Sequence, residues 1–223
     1  MWIKICANTN LEDALMAAEA GADALGFVFA PSKRQVNAAQ VAAIVPHLPA
    51  ALERVGVFNG HDSEQISRDA LASGLTAVQL HSEYNGSLVG SLAHRFAGKI
   101  DVIQVLHWTV GDAPELADAI ASQLREIAAQ GIVERVLIDS KVGTASGGMG
   151  VSFDWEAAAT VFRGAPPGLR LIAAGGLTPG NVVQAIASLR PWGVDVASGV
   201  EVSPGKKDPQ RLRDFIQKAR RPC

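Results

Sequence analysis

Short runs rich in Val, Ile, Leu and Ala recur along the chain: Trp2–Cys6, Ala24–Phe27, Arg54–Phe58, Ala77–Leu80, Asp101–Leu106, Arg135–Asp139, Arg170–Ala174 and Val194–Ala197. Most are apolar on successive residues, not alternate ones, which marks strands covered on both faces. Longer segments with helical punctuation lie between them. Asn10 is placed to cap a helix over Leu11–Ala20, with Asp13 at its third position and Gly21 as its stop. Leu11, Ala14, Leu15 and Ala18 then share one face. Asn37 and Gln40 have the spacing of a capping box. Asp208 before Pro209 opens the last helix, because a proline at the first helical position gives up no hydrogen bond.

Eight strand–helix alternations in 223 residues predict an α/β protein, a single-domain (β/α)₈ TIM barrel over residues 1–223, near the small end of that fold's range. The rival arrangement is an open doubly wound sheet, which carries a glycine fingerprint after its first strand. That position reads Cys6-Ala7-Asn8-Thr9, without a glycine, so the closed barrel is preferred.

Composition narrows the function classes. The apolar share of 48% and charged share of 19% are those of a chain that buries a core. The net charge of −2 comes from intermixed signs with no basic stripe, which argues against nucleic acid as a partner. No apolar stretch is long enough to span a bilayer, and the start lacks the features of a secretory signal. Two cysteines, one near each end, do not make a disulfide framework, so a cytoplasmic location with free thiols is expected. Cys223 at the chain end is read as inert.

Candidate chemistry collects at strand ends, where barrel enzymes place their working groups. Cys6 ends the first strand and Asp139 the sixth, so a thiol and a carboxyl should face one mouth from different sides of the ring. Gly175-Gly176 and Ser198-Gly199 follow strands seven and eight, the two positions where this fold commonly holds a phosphate on backbone N–H groups. Arg34 follows strand two and suits a carboxylate, while Gln79 and His81 at the end of strand four suit hydrogen bonds at the mouth. The stretch Ser140–Ser152 carries Gly143, Gly147, Gly148 and Gly150 and reads as a lid. No His/Cys/carboxylate group has metal-ligand spacing along the chain, so no metal and no cofactor are expected. The expected partner is a small phosphorylated molecule, the chain itself being a monomer or a homodimer.

An ordered series of fragments completes the reading: Lys4-Ile5-Cys6, Gly21-Ala22-Asp23-Ala24, Gly26-Phe27-Val28-Phe29, Ser32-Lys33-Arg34, Val78-Gln79-Leu80-His81, Leu137-Ile138-Asp139-Ser140, Gly147-Gly148, Phe153-Asp154-Trp155, Gly175-Gly176-Leu177, Val194-Asp195-Val196, Ser198-Gly199-Val200-Glu201 and Pro204-Gly205-Lys206-Lys207-Asp208. In this series the chain resembles the phosphoribosylanthranilate isomerases of tryptophan biosynthesis over essentially its whole length. The resemblance implies an Amadori rearrangement of N-(5-phosphoribosyl)anthranilate. It makes Asp139 the general acid at the ribose ring oxygen and Cys6 the general base at C2′. It gives the anthranilate carboxylate to Arg34 and the phosphate to the glycines after strands seven and eight. These roles need opposite protonation states, with a raised pKa at Asp139 and an accessible thiolate at Cys6. Lys4 is one candidate to favour the thiolate, unless strand alternation turns it away. The chain departs from the family at Ala7 and Ser82, where glycine is usual, and at Met149, where the lid usually has Ser or Thr. Two rivals remain: a Schiff-base aldolase using Lys141, and a phosphate-ligand binding protein without turnover.

Overall fold

The computed structural model describes residues 1–109, 113–141 and 155–221. Eight parallel strands close into a barrel in chain order: β1 (Trp2–Ile5), β2 (Ala24–Val28), β3 (Glu53–Phe58), β4 (Ala77–Leu80), β5 (Asp101–Thr109), β6 (Arg135–Lys141), β7 (Arg170–Ala174) and β8 (Gly193–Val196). Closure comes from β1 on β8, with Ile3 opposite Val194 and Lys4 opposite Asp195. Helices α1 (Leu11–Glu19), α2 (Ala38–Ile44), α3 (Ser63–Ala72), α4 (Gly86–Phe96), α5 (Ala113–Gln130), α6 (Trp155–Arg163), α7 (Val182–Leu189) and α8 (Pro209–Arg220) each follow a strand. The predicted strands match, with ends displaced by at most a few residues, the largest difference being the extension of β5 to Thr109.

The helix starts form where the capping chemistry placed them. Asn10 accepts from the Asp13 N–H, and Asn37 with Gln40 closes a reciprocal capping box. Asp208 accepts from the N–H groups of Gln210 and Arg211 behind Pro209. Each such cap contributes about 1 kcal/mol to its helix. No helix among the described residues is long and apolar enough to cross a membrane.

Two apolar layers hold the barrel. Between strands and helices lie Ile3, Ile5, Leu25, Phe27, Leu80, Leu106, Ile138 and Val194 with the inner helix faces. Inside the ring lie Ala24, Val55, Ala77, Ile103, Val105, Leu137, Ile172 and Ala174, flanked by the stacked pair Trp2 and Trp192. Odd and even residues of one strand thus feed different layers, the period of two that a pleated strand imposes. The same period carries Cys6, Asn59, His81, His107 and Asp139 inward at the C-terminal rim, two residues beyond an inward-facing neighbour in each case.

One element was not expected. After β8 the chain makes a single 3₁₀ turn at Ser198–Val200, then a short antiparallel ribbon of β9 (Glu201–Ser203) and β10 (Lys206–Lys207). Gly205 turns it with φ of 81°, and its carbonyl accepts from the Thr9 hydroxyl. Three residues and two residues are too few to show a periodicity, which is why the pattern of the chain does not reveal them. The ribbon matters because it delivers Glu201 and Lys207 to the underside of the first strand's end.

Candidate active site

A cavity of about 470 Å³ opens at the C-terminal rim of the barrel. Every site residue proposed from sequence lines it: Cys6, Arg34, Gln79, His81, Asp139, Gly175, Gly176, Ser198 and Gly199. The lid glycines 143, 147, 148 and 150, Met149, Cys223 and the side chain of Lys141 lie outside the described residues.

Cys6 sits just past β1, buried, and is fitted into place by the absence of a side chain opposite. A Cβ on Gly26 would stand 2.6 Å from its sulfur and 3.0 Å from Lys4 Cε. Lys4 and Cys6 are two residues apart, so the alternation that was expected to threaten their pairing puts them on one side. Lys4 is fully buried, and its ammonium donates to Asp195 Oδ1 at 2.8 Å. Burial opposes its charge, yet Asp195 and Cys6 more than offset this and raise its pKa. The ammonium is therefore a fixed charge beside the sulfur and not a free amine nucleophile, which removes it as a substitute for the aldolase lysine.

The thiol itself departs from the sequence expectation. Burial pushes the Cys6 pKa up, and Asp195 adds to this, while Lys4 and the more distant Lys207 pull it down without winning. Without substrate, the group at this position is a protonated thiol at neutral pH. The sequence reading counted the lysine but not the desolvation, nor the aspartate that shares the lysine's charge.

The next residue explains one departure from the family pattern. Ala7 adopts a left-handed backbone with φ of 63°. Glycine enters that region freely, whereas a residue with a Cβ stores about 1–3 kcal/mol there. Its methyl is buried, and Asn8 beyond it donates to the carbonyls of Ile5 and Gly26.

Arg34 reaches the cavity with its fork already engaged. Nε lies 3.1 and 3.0 Å from the two oxygens of Glu201, and Nη2 lies 2.7 Å from Oε2. Nη1 has no hydrogen-bond partner among the described residues. Glu201 also accepts from Lys207 Nζ and the Gly205 N–H. Burial works against the Glu201 charge, but Arg34, Lys207 and Gly205 together hold its carboxyl below the usual range. Lys207, fully buried, also donates to the Cys6 carbonyl. The ribbon thus locks the guanidinium in orientation and braces the backbone of the thiol.

Across the rim, Asp139 on β6 lies beside two imidazoles. His81 Nε2 is 3.9 Å and His107 Nδ1 is 3.8 Å from its Oδ2. His107 comes from β5, where the register sets it directly opposite Asp139, and its Nε2 bonds to the His81 carbonyl at 3.0 Å. Gln79 is buried below, its Oε1 without a hydrogen-bond partner among the described residues. Sequence reasoning missed Lys4's inward turn, Asp195, Glu201, Lys207 and His107. Charged residues inside apolar strands, as in Ile3-Lys4-Ile5 and Val194-Asp195-Val196, were the available signal for the first pair, because such groups are buried only with partners.

The loops after β7 and β8 form the opposite end of the cavity. Gly175 and Gly176, both lining the cavity, have φ of 87° and 63°, a left-handed backbone that glycine enters freely. Gly199 approaches the neighbouring loop so closely that a Cβ there would lie 1.9 Å from the Leu177 carbonyl oxygen. Gly199→Ala must therefore push the two loops apart. We expect it to raise the KM for a phosphorylated substrate at least about tenfold, the scale of a lost charge-assisted contact. The effect on kcat should be smaller. Gly176→Ala meets nothing within 4 Å and carries only the backbone strain, so it should change KM much less. Steady-state kinetics on both variants decides the matter.

Fold and cavity together define a class: a (β/α)₈ barrel whose C-terminal rim sets a thiol and a carboxyl in one cavity with a pair of glycine-bearing loops. The family model for N-(5′-phosphoribosyl)anthranilate isomerase matches residues 3–218. An isomerase of that name from Pelobacter propionicus is 40% identical over 219 residues, covering 98% of this chain and 95% of its own. The crystal structure of phosphoribosyl anthranilate isomerase from Thermotoga maritima superposes with a TM-score of 0.83 at 37% identity, covering 98% of each chain. A second structure, of a phosphoribosyl anthranilate isomerase in complex with reduced 1-(o-carboxyphenylamino)-1-deoxyribulose 5-phosphate, gives 0.81 at 35%, again covering 98% of each. The chain belongs to the N-(5′-phosphoribosyl)anthranilate isomerase family.

Proposed function

We propose that this chain converts N-(5′-phosphoribosyl)anthranilate to 1-(o-carboxyphenylamino)-1-deoxyribulose 5-phosphate, a step of tryptophan biosynthesis, by acid–base catalysis between Asp139 and Cys6. The observation that carries the reading is the placement of both groups on one cavity whose far end is made of the glycine loops. The phosphate is held by backbone N–H groups of those loops, and the anthranilate carboxylate by the edge of Arg34 that Glu201 leaves open. Gln79 and His81 bond to the sugar between them. A solved relative in complex with a reduced form of the same product supports the choice of ligand.

Asp139 protonates the ribose ring oxygen as its bond to C1′ breaks, leaving an iminium between C1′ and the anthranilate nitrogen. That cation acidifies the C2′ hydrogen. It also sits near Cys6 and favours the thiolate, as an opposite charge does. The thiolate removes the C2′ proton, and the resulting enolamine tautomerises to the ketone. Atoms balance without a cofactor, since the product is an isomer of the substrate.

The thiol's raised pKa fixes the sign of the pH dependence. The base must be deprotonated while the acid is protonated, so with the thiol titrating above a carboxyl the competent fraction is level between the two and falls about tenfold for each pH unit outside them. The profile of kcat/KM should therefore be bell-shaped, level through neutral pH and falling only beyond the ordinary thiol range. The assay is the loss of substrate fluorescence in purified protein, paired with complementation of a tryptophan auxotroph lacking this isomerase. A protein that binds substrate without turnover, or a profile that keeps rising beyond the ordinary thiol range, contradicts the proposal.

A further inference from the structure

His81, Asp139 and His107 come from three adjacent strands, β4, β6 and the β5 between them, and converge where the sequence shows no motif. Their ligand atoms all lie within 4.8 Å of one another. Asp139 Oδ2 is 3.8 Å from one imidazole nitrogen and 3.9 Å from the other. Bonds of about 2.0–2.1 Å at tetrahedral angles put neighbouring ligand atoms about 3.4 Å apart, so the two carboxylate distances must close by about half an ångström and the two imidazole nitrogens by at most about 1.4 Å.

The tautomer of His107 is set for ligation. Its Nε2 faces the His81 backbone carbonyl, which only accepts, so the proton sits on Nε2. The lone pair is then on Nδ1, which is buried, has no hydrogen-bond partner among the described residues, and points at Asp139. A carbonyl on the outer nitrogen is the arrangement that orients metal-bound histidines. Two imidazoles and one carboxylate with an open side toward a cavity match three-ligand transition-metal sites. The alkaline-earth ions prefer oxygen shells and are poor candidates.

We infer that His81, His107 and Asp139 form a binding site for a divalent transition-metal ion, Zn²⁺ in the first instance, and that its occupancy shuts off turnover by capturing the Asp139 carboxyl. The metal is an inhibitor here and takes no part in the reaction. The expectation of no metal rested on spacing along the chain, and donors on three separate strands leave no spacing to read. His107 does not line the substrate cavity, which makes it the residue that separates metal binding from turnover. Inhibition rests on the proposed role of Asp139, whereas binding does not.

The test uses the full chain stripped with EDTA and titrated with zinc sulfate against a chromophoric zinc indicator, with cobalt chloride in parallel for its visible absorption. We expect one Zn²⁺ per chain and a Co²⁺ spectrum that both vanish in His107→Gln. His107→Gln and His81→Asn should each weaken zinc binding at least about tenfold. The isomerase rate of the parent should fall with zinc and return with EDTA. Relative to its own metal-free rate, His107→Gln should need at least about tenfold more zinc for inhibition. A protein lacking the three other histidines, His47, His61 and His94, should bind as the parent does. Binding unchanged by both His107→Gln and His81→Asn, or lost with the other three, overturns the site. Zinc held through His81 and His107 while the rate stays constant would uphold the site and overturn Asp139 as the acid.

Discussion

Asp139→Asn should leave the barrel folded and slow the isomerase by about 10²–10⁴-fold, the contribution of one positioned acid. The side chain is about one-fifth exposed and the substitution preserves its shape, so no core contact is lost. An amide can still accept and donate hydrogen bonds but has no proton to give a ring oxygen. The loss should therefore fall in kcat, with KM nearly unchanged, because the interaction removed belongs to the transition state. Cys6→Ala should lose a similar factor for the base and also bring the alkaline fall down to the pH at which the acid ionises. Its stability cost is small, since the sulfur already sits at the cavity edge. Steady-state kinetics with a fluorescence titration of a reduced product analogue separates these outcomes. Full binding with near-parental turnover in either variant would remove that residue from its role.

The second large effect is structural. Lys4→Met should destabilise the fold by about 3–5 kcal/mol, because it strands the Asp195 carboxylate inside the barrel without its partner. The two side chains are 0% and 11% exposed, so water does little to compensate. Guanidinium unfolding of the single variants and of Lys4→Met with Asp195→Leu makes the measurement a double-mutant cycle. Removing both charges should recover much of the loss, since a buried pair replaced by apolar groups is often neutral. Because Lys4 also holds the Cys6 pKa down, Lys4→Met should show a lower level region and an alkaline fall at still higher pH than the parent. A single variant as stable as the parent would show that the pair is solvated or redundant.

These two effects differ in how they were reached. Asp139 and Cys6 could be found because each ends an apolar run, and a run's end is visible within five or six residues. The paired glycines after β7 and β8 are legible in the same way. Lys4 was noticed but its direction was left open, although a period of two puts residues 4 and 6 on one side. Arg34 was read as a free carboxylate clamp. Its engagement by Glu201 depends on a residue 167 positions away, carried on a ribbon too short to leave a pattern. His107 fell just past the strand read as Asp101–Leu106, and only the register of the longer β5 against β6 gives it a role.

By itself the sequence determined the elements, their order and the closed ring, because strand period, helix caps and turn residues act over a few neighbouring positions. It also placed the thiol, the carboxyl and the glycine-bearing loops at one rim, since all parallel strands of a barrel end on the same face. Only the tertiary structure decided which charges meet and what they do to each other. Lys4 and Asp195 are 191 residues apart, and their contact exists only once β1 closes on β8. The protonation of Cys6 follows from that contact and from burial, both properties of the folded interior. Desolvation and Coulomb energies depend on distance and surrounding dielectric, and neither is written in the order of residues along a chain.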